Sequence, residues 1–167
     1  MEELKLSEDM QEIVQEFNSL GGVVPVIPLR DVVFFPSMTA PIAVGRPRSK
    51  AAVEAAFSKE RLIAVFTQRR PEIEEPKEED MYDVGVLTEI LKLNRLPDGS
   101  MRVVLRGAIR IKRISLLRYD PYIEVKAEPL EDIDAVVDIE VEAMERTLRE
   151  VFAKILSLAT NIPPEAF

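Results

Sequence analysis

The 167 residues of this chain include no cysteine and no histidine. That removes thiolate and imidazole nucleophiles, the commonest general base and the commonest transition-metal ligands together. It also removes disulfides, so a reducing compartment suits the sequence. Carboxylates, lysines and hydroxyls remain. Ser49-Lys50 and Ser58-Lys59 have the residue types of a serine activated by a lysine, but a polar helix offers nothing to lower the lysine pKa. Both pairs are expected to be solvated surface. The segment Gly45-Arg46-Pro47-Arg48-Ser49-Lys50 lacks the G-x-x-x-x-G-K-S/T spacing that lets backbone amides cradle phosphates. No nucleotide site is expected in it. The acids of residues 72–83 fall in a proline-broken stretch without fixed ligand geometry, so a solvated loop is expected and no metal.

With catalysis set aside, apolar surface is the remaining candidate. Residues 23–44 form the densest apolar run and contain Pro25, Pro28, Pro36 and Pro41. Val23, Val24, Val26, Ile27 and Leu29 suit a strand, while Pro25 and Pro28 remove ladder donors and point to a strand paired on one side only. Arg30-Asp31 then interrupts the run, as an ion pair fixing a turn or as a subunit contact. Phe34-Phe35-Pro36-Ser37-Met38 places two aromatics and an adaptable thioether at a proline-defined turn. Leu29, Phe34, Phe35, Pro36 and Met38 are therefore the candidate surface for binding an unfolded polypeptide, against the alternative that the phenylalanines are core.

A hydrophobic fraction of 47% supports one globular domain with an appendage. No apolar run reaches the roughly 20 residues needed to span a bilayer, and residues 1–20 are acidic where a signal peptide needs a basic start. An unexported, cytoplasmic protein is expected. The formal charge of −8, from 22 basic and 30 acidic residues, opposes attraction to nucleic acid or anionic membrane. Residues 92–118 are locally basic, with Asp98 their lone acid. An RNA-binding face is the competing reading, but Arg102, Arg106, Arg110 and Lys112 have no interleaved aromatic on which bases could stack.

The elements that must position these residues follow from periodicity. Residues 1–21 read as a variable tail or a short helix, with Leu4, Met10, Ile13, Val14 and Phe17 at helical spacing, Ser7 as cap and Gly21-Gly22 as stop. Strands are predicted at 23–29 and 39–44. A helix follows over 50–59, capped by Ser49 and apolar along Ala52, Val53, Ala56 and Phe57. Residues 62–67 are a continuous apolar strand for a sheet interior. A long strand at 84–93, with Gly85 at a bulge or close approach, meets its partner through Pro97-Asp98-Gly99-Ser100. Met101, Val103 and Leu105 alternate with Arg102 and Arg106 on the return, Gly107 turns the chain into 108–115, and 122–128 is a last strand. The expected class is α+β: a small β-barrel of about six to seven strands with one packed helix over 22–130, then residues 131–167 opening a helical bundle.

That bundle rests on a long helix over about 136–160. Val141, Met144, Leu148, Val151, Ile155 and Leu158, followed by Ile162, step by three and four as a seam that packs along another helix. Glu142 with Arg146, Glu145 with Arg149 and Glu150 with Lys154 are supporting pairs four apart. Asn161-Ile162-Pro163-Pro164 stops the helix, and the natural chain is expected to continue past Phe167.

The order of several short motifs resembles one family. Pro25-Val26-Ile27-Pro28-Leu29-Arg30-Asp31-Val32-Val33, then Pro36, Pro41-Ile42, Val44-Gly45-Arg46 and Ser49 resemble the start of the Lon ATP-dependent proteases. Tyr82-Asp83-Val84-Gly85, Ile90-Leu91-Lys92, Leu96-Pro97-Asp98-Gly99, residues 104–107 and Asn161-Ile162-Pro163-Pro164-Glu165 continue the likeness. The resemblance implies a PUA-like amino-terminal domain, non-catalytic, that recruits unfolded, damaged or degron-bearing proteins and supports a homohexamer. It further implies a cytosolic parent with an ATPase module, using ATP and Mg, and a Ser-Lys proteolytic dyad, neither present in these residues. A standalone Lon-like substrate-binding protein is the alternative to a protease fragment.

Overall fold

A computed structural model describes residues 8–132 and 138–158. The chain divides into two compact units, Met1–Glu131 and Asp132–Phe167. The expectations for Leu4, Ser7, residues 136–137 and 159–160, and the stop at Asn161-Ile162-Pro163-Pro164 lie outside the described residues.

The first unit begins with helix α1 (Glu8–Ser19), which buries Ile13 and Phe17. Gly21 (φ 68°) and Gly22 (φ 73°) take left-handed backbone, and their amides donate to Asn18 O and Phe17 O, which closes the helix. Six strands follow: β1 (Val23–Leu29), β2 (Thr39–Val44), β3 (Leu62–Thr67), β4 (Val84–Arg95), β5 (Met101–Arg118) and β6 (Glu124–Pro129), with helix α2 (Pro47–Phe57) between β2 and β3. The sheet is mixed, in order β2-β5-β4-β3-β1-β6, and β5 also pairs with β6. Hydrogen bonds thus run in a ring through β5, β4, β3, β1, β6 and back to β5, with β2 attached outside on β5. The class is α+β, as expected.

Apolar side chains leave the sheet on both faces. Ile63 and Val65 join a core with Leu29, Phe34, Ile42, Val53, Ile90 and Leu105. Leu62, Ala64 and Phe66 join a second core with Phe17, Val24, Leu87, Ile111 and Val125. A strand covered on both faces needs no polar alternation, which is why β3 reads as a continuous apolar run. Ala52, Val53 and Ala56 of α2 are buried as their stripe predicts.

Four expectations need correction. First, β1 is not paired on one side only: it runs parallel to β3 through residues 26–29 and antiparallel to β6 through residues 23–25. The prolines fit because the strand changes partner. The Val26 amide donates to Ile123 O at 2.9 Å, so even-numbered residues face β6 and odd-numbered ones face β3. Pro25 therefore faces β3 just ahead of the first register pair, Val26 with Ala64, and Pro28 faces the β6 side beyond the last, Pro25 with Glu124. Neither proline interrupts a bond that would otherwise form.

Second, α2 begins at Pro47 and its N-cap is Arg46, so Ser49 lies within the first turn and caps nothing. Proline's fixed φ is ready-made for a first helical position. Third, Ser49 is 5% exposed rather than solvated. Fourth, Gly107 does not turn the chain, because β5 continues through it to Arg118. A Cβ at Gly107 would collide with the Phe35 carbonyl oxygen. The glycine is required by a crossing segment, and a turn was the wrong reason for it. Gly85 is the close approach expected, since a Cβ there would strike Val65 O and the Phe66 ring.

In the second unit, helix α3 (Ile139–Leu158) is opened by Asp138, whose carboxylate accepts from the Val141 amide at 2.9 Å. Glu145 and Arg149 close the expected ion pair at 2.6 Å.

Candidate apolar binding surface on the 30–38 turn

The turn between β1 and β2 is shaped by contacts at both ends. At its start, Arg30 pairs with Glu74 at 2.9 Å rather than with Asp31, which corrects the expected Arg30-Asp31 pair. Both residues lie in a bend after β1 ends, and the carboxylate that meets Arg30 comes from far along the chain. The Thr67 hydroxyl donates to Val32 O at 2.9 Å. At the far end Ser37 N donates to Gly107 O at 2.9 Å, and Gly107 N donates to Met38 O at 2.8 Å. Met38 N donates to Phe35 O at 3.2 Å, with Ser37 at φ 64° to tighten the bend.

This pinning sorts the candidate residues. Leu29 and Phe34, at 7% and 4% exposure, belong to the core. Met38 is half-buried against the same core, and Pro36 is half-buried. Phe35 stands out at 53% exposure, together with Val32 at 42% and Val33 at 56%. The sequence reading missed the two valines because it assigned the apolar surface to the aromatics. The signal was available: Val32 and Val33 follow a charge pair and precede a proline-defined turn, so no strand period obliges them to face inward.

A groove of about 700 Å³ adjoins this ridge, lined by Pro28, Leu29, Val32, Pro41 and Ile42. The groove exists because the sheet does not close here. Gly107 N donates to Met38 O, which fixes even-numbered β2 residues toward β5 and odd-numbered ones toward the free edge. Pro41 therefore meets that edge with no N–H, and Pro28 does the same on the open side of β1. Two missing donors keep β1 and β2 from pairing across the gap.

On the other candidate surface, the basic face of β5, three cations are held by carboxylates. Arg106 pairs with Glu89 at 2.7 Å and with Asp9 at 3.6 Å. Arg113 is buried, pairing with Asp83 at 2.9 Å and Glu78 at 3.7 Å, and Arg118 meets Glu124 at 3.4 Å. Cations committed to carboxylates have little left for phosphates. The same pairs correct the picture of residues 72–83 as merely solvated. Glu74 and Glu75 hold Arg30 and Arg48, while Asp80 is buried and accepts from the Lys77 amide at 3.0 Å and from Arg70 at 2.8 Å. Those hydrogen bonds hold the Asp80 carboxyl below its ordinary value. Among the described residues no cluster of three or more acids is arranged to hold a metal ion, and no helix is long and apolar enough to cross a membrane.

On α3 no residue is buried, and Val141, Met144, Leu148, Val151, Ile155 and Leu158 are all exposed, Leu158 at 74%. Phe152, at 57%, widens the apolar face beyond the predicted seam.

Comparison with known proteins agrees with this architecture. The family model described as the ATP-dependent protease La (LON) substrate-binding domain matches residues 23–167. A Lon protease of Anaeromyxobacter dehalogenans is 36% identical over 147 residues, which is 88% of this chain and 17% of that protein. Lon protease 2 of Sorangium cellulosum is 38% identical over 141 residues, 84% of this chain and 17% of that protein. The chain thus spans about a fifth of the length of the curated relatives it matches, or slightly less. In fold it is similar to the N-terminal domain of Mycobacterium avium complex Lon protease, with a TM-score of 0.63 and 22% identity over 81% of this chain and 68% of that one. A Lon N-terminal domain protein from Xanthomonas campestris superposes with a TM-score of 0.58 at 19% identity, over 78% of this chain and 73% of that one.

Proposed function

This chain belongs to the family of LON substrate-binding domains, and we propose that it recruits unfolded, damaged or degron-bearing polypeptides for ATP-dependent degradation. The observation that carries the reading is the exposed ridge of Val32, Val33 and Phe35 beside an open groove. Apolar groups held at a pinned turn lose little conformational freedom on binding, so client burial is not offset by ordering the surface. Unfolded chains present apolar side chains that folded ones hide, which gives such a ridge its selectivity. The parent protein is then a cytoplasmic homohexameric serine endopeptidase, and its ATP, Mg and Ser-Lys dyad belong to other modules. The exposed apolar face of α3 supports helix packing within that assembly.

A photo-crosslinker placed at position 33 or 35 tests the reading against one at Leu117, which is 52% exposed on β5. Capture of a chemically unfolded client from 33 and 35, and not of the same protein when folded, is the expected result. Equal capture from Leu117, or equal capture of the folded protein, would remove the ridge as the recruiting surface.

A further inference from the structure

A second, smaller cavity lies at the start of α2. Its volume is about 140 Å³, and its walls include Val26, Pro28, Ile123 and Tyr119, with Arg46 and Ser49 at the polar end. Arg46 occupies the N-cap in extended backbone, no side chain hydrogen-bonds to the opening amides, and the first turn contains no acid. The first intrahelical donor is Lys50 N, bonded to Arg46 O at 2.9 Å, and Pro47 has no N–H, so the Arg48 and Ser49 amides lack intrahelical acceptors. A helix end of this kind favours an anion.

Two independent features point to a ligand there. Ser49 is 5% exposed, lines the cavity, and its hydroxyl has no hydrogen-bond partner among the described residues. Arg46 is a half-buried cation with no carboxylate ion pair among the described residues: Nη2 donates to Gln68 Oε1 at 2.6 Å, and Nη1 is unsatisfied. Burial, and then the charge of Arg30, lower its pKa, with Glu74 opposing them. A bound anion would relieve that strain. The nearby cations are otherwise occupied. Glu74 is held by Arg30 at 2.9 Å, while Arg48 is shared between Glu75 at 2.7 Å and Asp120 at 2.9 Å and lies 4.3 Å over the Tyr119 ring.

We infer that this cavity takes the carboxy-terminal residue of a client chain when that residue is apolar. Its carboxylate sits against the α2 amides, the Ser49 hydroxyl and Arg46, and its side chain lies in the apolar cavity. A single negative charge fits the site better than a phosphate dianion, because Glu74 and Glu75 line the same space. The apolar walls select against small hydrophilic anions. The inference deepens the recruiting function by naming one class of client end, and it rests on that function.

The test uses the 167-residue chain and a fluorescent, flexible decapeptide ending in leucine, made with a free or an amidated carboxyl. Removing the charge should weaken binding by about ten- to a hundredfold, the range for hydrogen bonds to a charged group. Ser49→Ala and Arg46→Gln should each weaken only the free acid, while Arg46→Lys retains part of the affinity. Unchanged melting temperatures show that the variants are folded. Equal binding of acid and amide, or displacement of the peptide by millimolar phosphate, would overturn the assignment. If amidated unfolded protein binds as tightly as the free acid and Val33→Ser with Phe35→Ser weakens that binding about 30-fold, recruitment stands while the carboxylate site falls. If neither peptide nor unfolded protein binds, recruitment itself fails.

Discussion

Gly107→Ala should destabilise the first unit and loosen the binding turn together. The strand passes beneath the turn so closely that a Cβ at 107 would collide with Phe35 O. Relief requires the turn to lift, which breaks Ser37 N to Gly107 O and Gly107 N to Met38 O, at 2.9 and 2.8 Å. Each such bond contributes about 1 kcal/mol net, so the loss is about 2 to 3 kcal/mol once some misfit remains. For a unit of this size that corresponds to a fall of roughly 6 to 10 °C in melting temperature. Gly45→Ala is the control, because nothing lies within 4 Å of a Cβ there, and it should be neutral or stabilise by about 0.4 to 1 kcal/mol. Urea melts of both variants give the comparison, and hydrogen exchange should accelerate at Ser37 and Gly107 in G107A. Melting of G107A within about 1 °C of the parent would refute the claim that the glycine is there for the crossing.

Adjacent aromatics should behave oppositely. Phe34→Ala removes a side chain that is 4% exposed and should cost about 3 to 5 kcal/mol, whereas Phe35→Ala, at 53%, should stay within about 0.5 kcal/mol in the same urea titration. Thr88→Val should cost about 1 kcal/mol by deleting the 2.7 Å bond from its buried hydroxyl to Ile63 O, again read from urea midpoints. The Lys77 amide and Arg70 depress the Asp80 carboxyl, so its stabilisation is present above its unfolded value of about 3.9 and is lost as pH falls through the lower folded value. Thermal melts between about pH 5 and 2 should therefore slope less in Asp80→Asn than in the parent.

What the sequence revealed depended on whether a residue's surroundings were local. The hairpin joining β4 to β5 was legible because Asp98 accepts from both the Ser100 amide and hydroxyl and Gly99 supplies φ 81°, all within one turn. Strand β3 was legible because both its faces are covered. The partners of β1 were not, because Pro25 and Pro28 announce missing donors without saying which side each faces. Nor could Phe34 be told from Phe35, since a turn has no period to assign one inward. Gly107 was ambiguous for a related reason: glycine serves turns and close crossings alike. The ion pairs of residues 70–83 join positions as far apart as Arg30 and Glu74, a separation invisible to any local pattern.

Affinity for an unfolded client tests the recruiting function most directly. Val33 and Phe35 are 56% and 53% exposed, so a bound client would bury the remaining half of each side chain, about 1 kcal/mol apiece. In fluorescence anisotropy with a labelled, permanently unfolded protein, the double variant Val33→Ser with Phe35→Ser should bind about 30-fold more weakly at an unchanged melting temperature. Undiminished affinity in that folded variant would contradict the account.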